Sequence, residues 1–267
     1  MFDIDRWQEI FDTIAKNKLR TFLTGLSVAS GIFILVVLLG FGRGMENGIR
    51  KEFEGDASNL IFVWAQTTTK EYKGMNPGRR INLKNENYDH IITSNEGQIE
   101  FRSGVYRVPF GTTVNYKKES IAYGVWGVHP NYQQIENQSM VAGRFIDQMD
   151  LDSKSKVAVI SYKIQNELLK GVEDPTNEYI QISGINFKII GIYSDPAGER
   201  EEDRVFVPFT TGQSVFNGAD HLQNLAFTMK PEKNFEKAVQ AANQFSAEIT
   251  QYLKETHKVA PDDPGAI

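Results

Sequence analysis

The chain has 267 residues, 29 of them basic and 34 acidic, and no cysteine. A net charge of −5 argues against a nucleic-acid partner, which needs clustered positive charge. The missing cysteines exclude disulfides and thiolate zinc sites. Four acidic and four basic residues lie in 1–20, so the acidic excess belongs to the rest, which is long enough for one large domain or two small ones.

Residues 2–18 read as an amphipathic helix. Ile4, Trp7, Ile10, Phe11 and Ile14 share one face at spacings of three and four, with Asp5, Glu9, Asp12 and Lys16 mostly opposite. Such a segment can lie at a membrane interface with Trp7 at headgroup depth, or pack on another protein domain. Trp7, Lys16, Lys18 and Arg20 are the expected interfacial anchors. Residues 21–42, TFLTGLSVASGIFILVVLLGFG, contain no Asp, Glu, Lys, Arg or His and are closed by Arg20 and Arg43. As a helix this run spans about 33 Å at ~1.5 Å per residue, a match to a bilayer core of about 30 Å. A buried helix of a soluble protein would carry a polar stripe, and here only Thr24, Ser27 and Ser30 interrupt the run. A cleaved signal would have a shorter apolar core and a small-residue cleavage site, so the expectation is an uncleaved transmembrane helix. Positive charges number four before the span and three after it, so charge sets its orientation weakly. Gly25, Ala29, Ile32, Val36 and Gly40 lie close to one stripe of the helix, and small residues spaced by four let helices approach closely in lipid.

Residues 42–54 are expected to continue the helix. Residues 59–65 read as a strand, 66–84 as an exposed, mobile loop with Gly74, Pro77 and Gly78, and 85–94 as a short helix with Tyr88, Ile91 and Ile92 inward. Residues 99–115 and 120–128 read as a long antiparallel pair turning at 116–119. Further on, 140–145 reads as a turn with a Gly-Arg pair and 157–160 as a strand. Ser161 caps a helix to Lys170 ended by Gly171. Residues 179–182 and 186–193 read as strands about a Ser183-Gly184 turn. Residues 198–204 are a charged loop, 204–208 a strand, 223–229 a strand, and 234–254 an amphipathic helix with Phe235, Ala238, Val239, Ala242, Phe245, Ile249 and Leu253 on one face. The tail 259–267 shows no pattern of its own.

Catalytic machinery is not evident. The chain has no Walker A loop, no G-x-G-x-x-G and no G-x-S-x-G elbow. His90, His129, His221 and His257 have no metal-ligand spacing. Asp147, Asp150 and Asp152 resemble the start of a calcium loop, but the spacing is wrong and Ala158 stands where the twelfth-position acid belongs; they read as solvated turn residues. Glu199, Glu201, Glu202 and Asp203, interleaved with Arg200 and Arg204, read as an exposed loop.

Several stretches together resemble the macrolide-exporter-type (MacB-like) ABC transporter permeases. Asn17 to Ile49, NKLRTFLTGLSVASGIFILVVLLGFGRGMENGI, resembles their first membrane helix. VAGRFIDQMDLDSKSKVAVISYKIQNELL, YIQISGINFKIIGIY and RVFVPFTTGQSVFNG resemble successive stretches of their extracytoplasmic core. The resemblance covers essentially the whole chain, and its specificity lies in the order of the stretches. It implies an α+β chain: one N-terminal transmembrane helix, then a two-part extracytoplasmic α/β domain. The expected divisions are an interfacial segment 1–20, the span 21–42, a discontinuous porter-like part of 50–128 and 220–258, an inserted strand-rich Sabre-like part of 129–219, and a tail 259–267 leading towards three further membrane helices. Those helices are absent from the sequence, which implies a fragment or a truncated relative that could not transport alone.

The implied function is a non-enzymatic permease portion that transmits motion from a cytoplasmic ABC ATPase to the outer domain. The implied partners are that ATPase, a second permease copy, membrane lipid, and periplasmic or outer-membrane proteins, with no cofactor or metal. The N-terminus would be cytoplasmic, in a bacterial inner membrane. The alternative reading is a stand-alone membrane-tethered extracytoplasmic binding module.

Overall fold

The computed structural model describes residue 7 and residues 14–56, 60–109, 111–196, 198, 202–232 and 234–267, with side chains described outside 46–56 and 235. The chain divides into two units, Met1–Gly55 and Asp56–Ile267. In the first, helix α1 runs over Lys18–Asp56, continuing past the apolar run as its sequence suggests. Lys18–Met45 is long and apolar enough to cross a membrane, and its large apolar side chains are exposed. The Thr24 hydroxyl donates to the Arg20 carbonyl at 2.8 Å and Ser30 to Ser27 at 2.9 Å. The hydroxyls thus find partners within the helix, as a segment in hydrocarbon requires. Most of the expected 2–18 helix, including Ile4, Ile10 and Phe11, lies outside the described residues.

The second unit is built on one mixed sheet. Its strands are β1 (Leu60–Trp64), β3 (Ile99–Arg107), β4 (Val114–Tyr116), β5 (Glu119–Ile121), β6 (Gly124–Val128), β7 (Ser139–Gly143), β8 (Val157–Ser161), β9 (Tyr179–Ile182), β10 (Ile185–Ser194), β11 (Arg204–Pro208) and β13 (Asn224–Met229). They are ordered β1-β13-β3-β6-β11-β8-β10-β9-β4-β5, with β7 also paired to β10. Two short strands, β2 (Leu83–Lys84) and β12 (His221–Leu222), pair apart from it. The rungs β6/β11 and β8/β10 are parallel. The helices are α2 (Asn85–Asn95), α3 (Tyr132–Ile135), α4 (Gln148–Asp152), α5 (Tyr162–Leu168), α6 (Phe209–Val215) and α7 (Phe235–Thr256).

Local signals place many of these elements. Ser161 accepts the Ile164 N–H at 3.0 Å and starts α5. Ser183 and Gly184, at φ 47° and 84°, make the positive-φ two-residue turn that twisted hairpins favour. Asn234 caps α7 by accepting from Glu236 and Lys237. Phe245, Ile249 and Leu253 of α7 are buried in one cluster with Leu225, Phe227 and Ile91, and Phe245 meets Phe227 edge-on at 5.7 Å. Towards its N-terminus α7 is more open, with Val239 37% exposed.

Four expectations need correction. Residues 99–128 do not form one continuous pair. β3 pairs with β6, but the β4–β5 hairpin between them joins β9 at the other end of the sheet. Residues 140–145 are not a simple turn: Ser139–Gly143 is strand β7. Gly143, at φ 68°, packs so closely that a Cβ would overlap the Ile190 carbonyl oxygen. Residues 66–84 are held rather than free. Gln66 N–H donates to the Ala266 carbonyl at 2.9 Å, and Thr69 N–H and Oγ1 donate to Asp263 at 2.7 and 2.8 Å. Ile81 is buried with Val259 and Ala266. The tail that showed no pattern is the other half of this clamp. Finally, neither acidic group is simply solvated. Asp150 is buried and takes a bidentate pair from Arg144 at 2.6 and 3.2 Å, and Asp147 caps α4. Glu202 is buried and accepts from Ser194 Oγ and Asp195 N–H; Glu199 and Glu201 lie outside the described residues.

Candidate functional site

Three surfaces can carry function, one on α1 and two in the α/β unit. On α1, Gly25, Ala29, Ile32, Val36 and Gly40 fall within about 80° of one another around a 3.6-residue helix. All five are exposed, Ile32 by 58% and Val36 by 61%. A Cβ added at Gly25 or Gly40 would meet nothing within 4 Å. Among the described residues nothing covers this stripe. Lys16, Lys18 and Arg20 are exposed at the polar end of the span, and Trp7 is helical and 54% exposed.

In the α/β unit, sequence reasoning passed over a cleft of about 490 Å³ lined by residues of α2, β3, the 129–134 segment and 144–148. Its position follows from the sheet. The last rung between β3 and β6 is Val105↔Val128, and β3 runs on without that neighbour. His129 takes over: its Nδ1 accepts the Gly104 N–H at 3.1 Å, and its own N–H donates to Ser103 Oγ at 3.1 Å. The imidazole lies between the Tyr88 ring at 4.8 Å and the Phe209 ring at 4.4 Å. Burial pushes its pKa down to about 4, with the Arg102 charge acting in the same direction. Burial likewise raises that of Tyr88, so the phenol stays protonated.

A second cleft, of about 450 Å³, has Arg107 and Trp126 on its wall. The guanidinium carbons of Arg107 and Arg204 lie 4.2 and 4.0 Å from the Trp126 ring centroid, a cation–π cluster. Among the described residues, no group of three or more His, Cys, Asp or Glu is placed to hold a metal ion.

The family model for the MacB-like periplasmic core domain matches residues 21–245. The chain belongs to this family. The macrolide export ATP-binding/permease protein MacB of Bdellovibrio bacteriovorus is 26% identical over 229 residues, covering 83% of this chain and 34% of the relative. The pyoverdine export ATP-binding/permease protein PvdT of Pseudomonas fluorescens is 26% identical over 221 residues, covering 79% of this chain and 31% of the relative. Among solved structures, the periplasmic region of MacB from Actinobacillus actinomycetemcomitans superposes with a TM-score of 0.60 at 16% identity, covering 78% of this chain and 88% of that one.

The chain thus spans about a third of the length of these two curated relatives. The MacB-like fold, one N-terminal apolar helix followed by a mixed α/β domain, agrees with the α+β expectation. The matched residues 21–245 take in most of the apolar helix and most of the α/β domain.

Proposed function

We propose that this chain is the N-terminal portion of a MacB-like permease subunit that passes motion from a cytoplasmic ABC ATPase to an extracytoplasmic domain, for export or extrusion of a substrate. The observation that carries this reading is the union in one chain of a fully exposed apolar helix and a MacB-like α/β domain. The N-terminus is cytoplasmic, and Trp7, Lys16, Lys18 and Arg20 anchor the start of the span in the lipid interface. The stripe Gly25, Ala29, Ile32, Val36 and Gly40 packs on a second permease copy or on further membrane helices. The chain does no chemistry itself; ATP hydrolysis belongs to the partner, as the absence of a Walker A loop from its sequence suggests.

Two parts divide the outer domain in this reading. Residues 50–128 with 220–258 are porter-like, and 129–219 are inserted and Sabre-like. Support comes from β13 pairing with β1 and β3, and from α7 docking with residues of α2 and β13. The β4–β5 hairpin goes by its pairing to β9 with the inserted part. Periplasmic or outer-membrane proteins are the further partners of the domain.

The test is co-purification of the full-length gene product with an ABC ATPase encoded beside it. The expected result is a stable complex that hydrolyses ATP, while the permease chain alone hydrolyses none. Hydrolysis by the chain alone, or failure of every such ATPase to bind, would contradict the proposal.

A further inference from the structure

The end of α7 carries an inference that rests on the fold alone and not on transport. His257 follows the last residue of α7 and joins three parts of the domain. Its ring Nε2 lies 3.1 Å from Asn87 Oδ1 on α2. The Lys84 N–H donates to the same oxygen at 3.0 Å, which fixes the orientation of the amide. An amide oxygen can only accept, so Nε2 carries the proton of the neutral ring and Nδ1 is bare. The carbonyls of His257 and Lys258 accept from Arg79 Nη2 at 2.5 and 3.1 Å. The imidazole thus stands where α7, α2 and the 66–84 segment meet. Two residues on, Val259 is buried with Ile81 and Ala266 in the clamp between that segment and the tail.

This junction already holds more donors than acceptors. Asn87 Nδ2 and Arg79 Nε are buried without a hydrogen-bond partner. A second ring proton would add another donor, and a positive charge, to the same set. The charged groups facing the ring are Arg79 from the 66–84 segment, Lys84 just before α2 and Glu86 in its first turn. Of these only Glu86 favours a charged ring, and it is exposed. Lys84 is paired with Asp220 at 3.2 Å. Nearby in sequence stand Lys254, Glu255 and Lys258, and Lys254 Nζ donates to the Pro261 carbonyl at 2.9 Å. Burial first, and then the Arg79 charge, push the pKa of His257 below its ordinary value. A histidine lowered in this way leaves stability intact above the unfolded value of about 6.5 and removes it as pH falls below that.

We propose that His257 is an acid-sensitive latch: its protonation loosens the end of α7, together with residues 66–84 and 259–267, from α2, while the main sheet stays folded. The neutral ring bridges to Asn87 and leaves the Arg79 guanidinium facing carbonyl oxygens. The charged ring meets a guanidinium seated on its own carbonyl, and no acceptor among the described residues takes its Nδ1 proton. The Thr69–Asp263 contacts do not let go in this range, because the Asp263 carboxyl is held at about 2. The segment and the tail therefore move as one piece.

The test uses the full-length chain in detergent and hydrogen exchange read by mass spectrometry, from about pH 7.5 to about pH 5 and corrected for intrinsic exchange. Peptides over 79–87 and 253–267 are compared with peptides over β8 and β10. The expected result is a several-fold loss of protection at the latch on acidification, with a ceiling of about ten-fold per pH unit below 6.5, and a smaller loss in the strands. His129 is also lowered by burial, so the decisive comparison is local and made with His257→Gln. That variant places an amide donor near Nε2 and takes up no proton, so latch protection should be the same across the range. Its melting temperature at about pH 7.5 confirms folding. Glu86→Gln, at an exposed position, removes the acid that favours the charged ring and should move the loss to lower pH. Unchanged latch protection in the parent, the same acid loss in His257→Gln, or a loss at the parent's pH in Glu86→Gln would overturn the proposal.

Discussion

Asp263 shows how much can rest on one carboxylate. It accepts from Thr69 N–H and Oγ1, Lys70 N–H and Gly265 N–H, at distances from 2.7 to 3.2 Å. Burial alone would raise its pKa; these donors outweigh that and hold it at about 2. A carboxyl depressed in the folded state contributes stability that is full above its unfolded value of about 4 and is lost as pH falls through the folded value. Asp263→Asn should therefore melt at a lower temperature than the parent by a constant margin from neutral pH to about pH 5, and the margin should close towards pH 2. Thermal melts across that range check it; a margin that does not change with pH would mean the charge has no part in the clamp. None of this was legible in the sequence. Thr69 and Asp263 are 194 residues apart, and the second Asp of the Pro261-Asp-Asp-Pro264 run gives no local sign of a partner. The cleft beside β3 was hidden for the same reason. Tyr88 was read as an inward helix residue, correctly, but its convergence with Arg102 and His129 exists only once the sheet is assembled.

Elements specified by neighbours in sequence were readable. The span, the Ser161 cap, the Ser183-Gly184 turn and the amphipathic α7 all depend on residues within a few positions of each other. Elements specified by distant pairing were not. The glycine of 140–145 suggested a turn, and its φ is indeed positive, but β10 draws the segment into the sheet as β7. That packing has a measurable consequence. A methyl at Gly143 would overlap the Ile190 carbonyl oxygen in a backbone conformation that L-residues avoid. Gly143→Ala should destabilise the domain by about 1–3 kcal/mol, the range for overpacking, measurable by chemical denaturation. Gly184→Ala, also at positive φ but with open space around it, should cost less. The stripe on α1 makes the opposite kind of prediction. Among the described residues nothing fills it, so Gly25→Leu or Ala29→Leu should leave membrane insertion intact, Leu being at least as favourable there. Assembly with a second copy or further membrane helices should weaken through steric clash. Cross-linking alongside membrane fractionation reads both effects, and normal assembly in both variants would place the stripe against lipid.

At the scale of the molecule, family and architecture were readable because many weak signals occur in one order, from the basic approach to the span through the Gly-Arg-Phe stretch to the final amphipathic helix. The continuity of the sheet from β1 to β5 was not, since it depends on the β4–β5 hairpin leaving its sequence neighbours to pair with β9. In the proposed function the N-terminal helix places the α/β domain outside the cytoplasm with the N-terminus inside. The chain has no cysteine, so single introduced thiols report position without background. Met149→Cys, at a side chain 77% exposed on the domain, and Lys16→Cys, just before the span, would be treated with a membrane-impermeant maleimide in intact spheroplasts and again after lysis. The expected result is labelling of the Met149→Cys protein in intact spheroplasts and of the Lys16→Cys protein only after lysis. The reverse pattern, or protection of both sites until lysis, would contradict it.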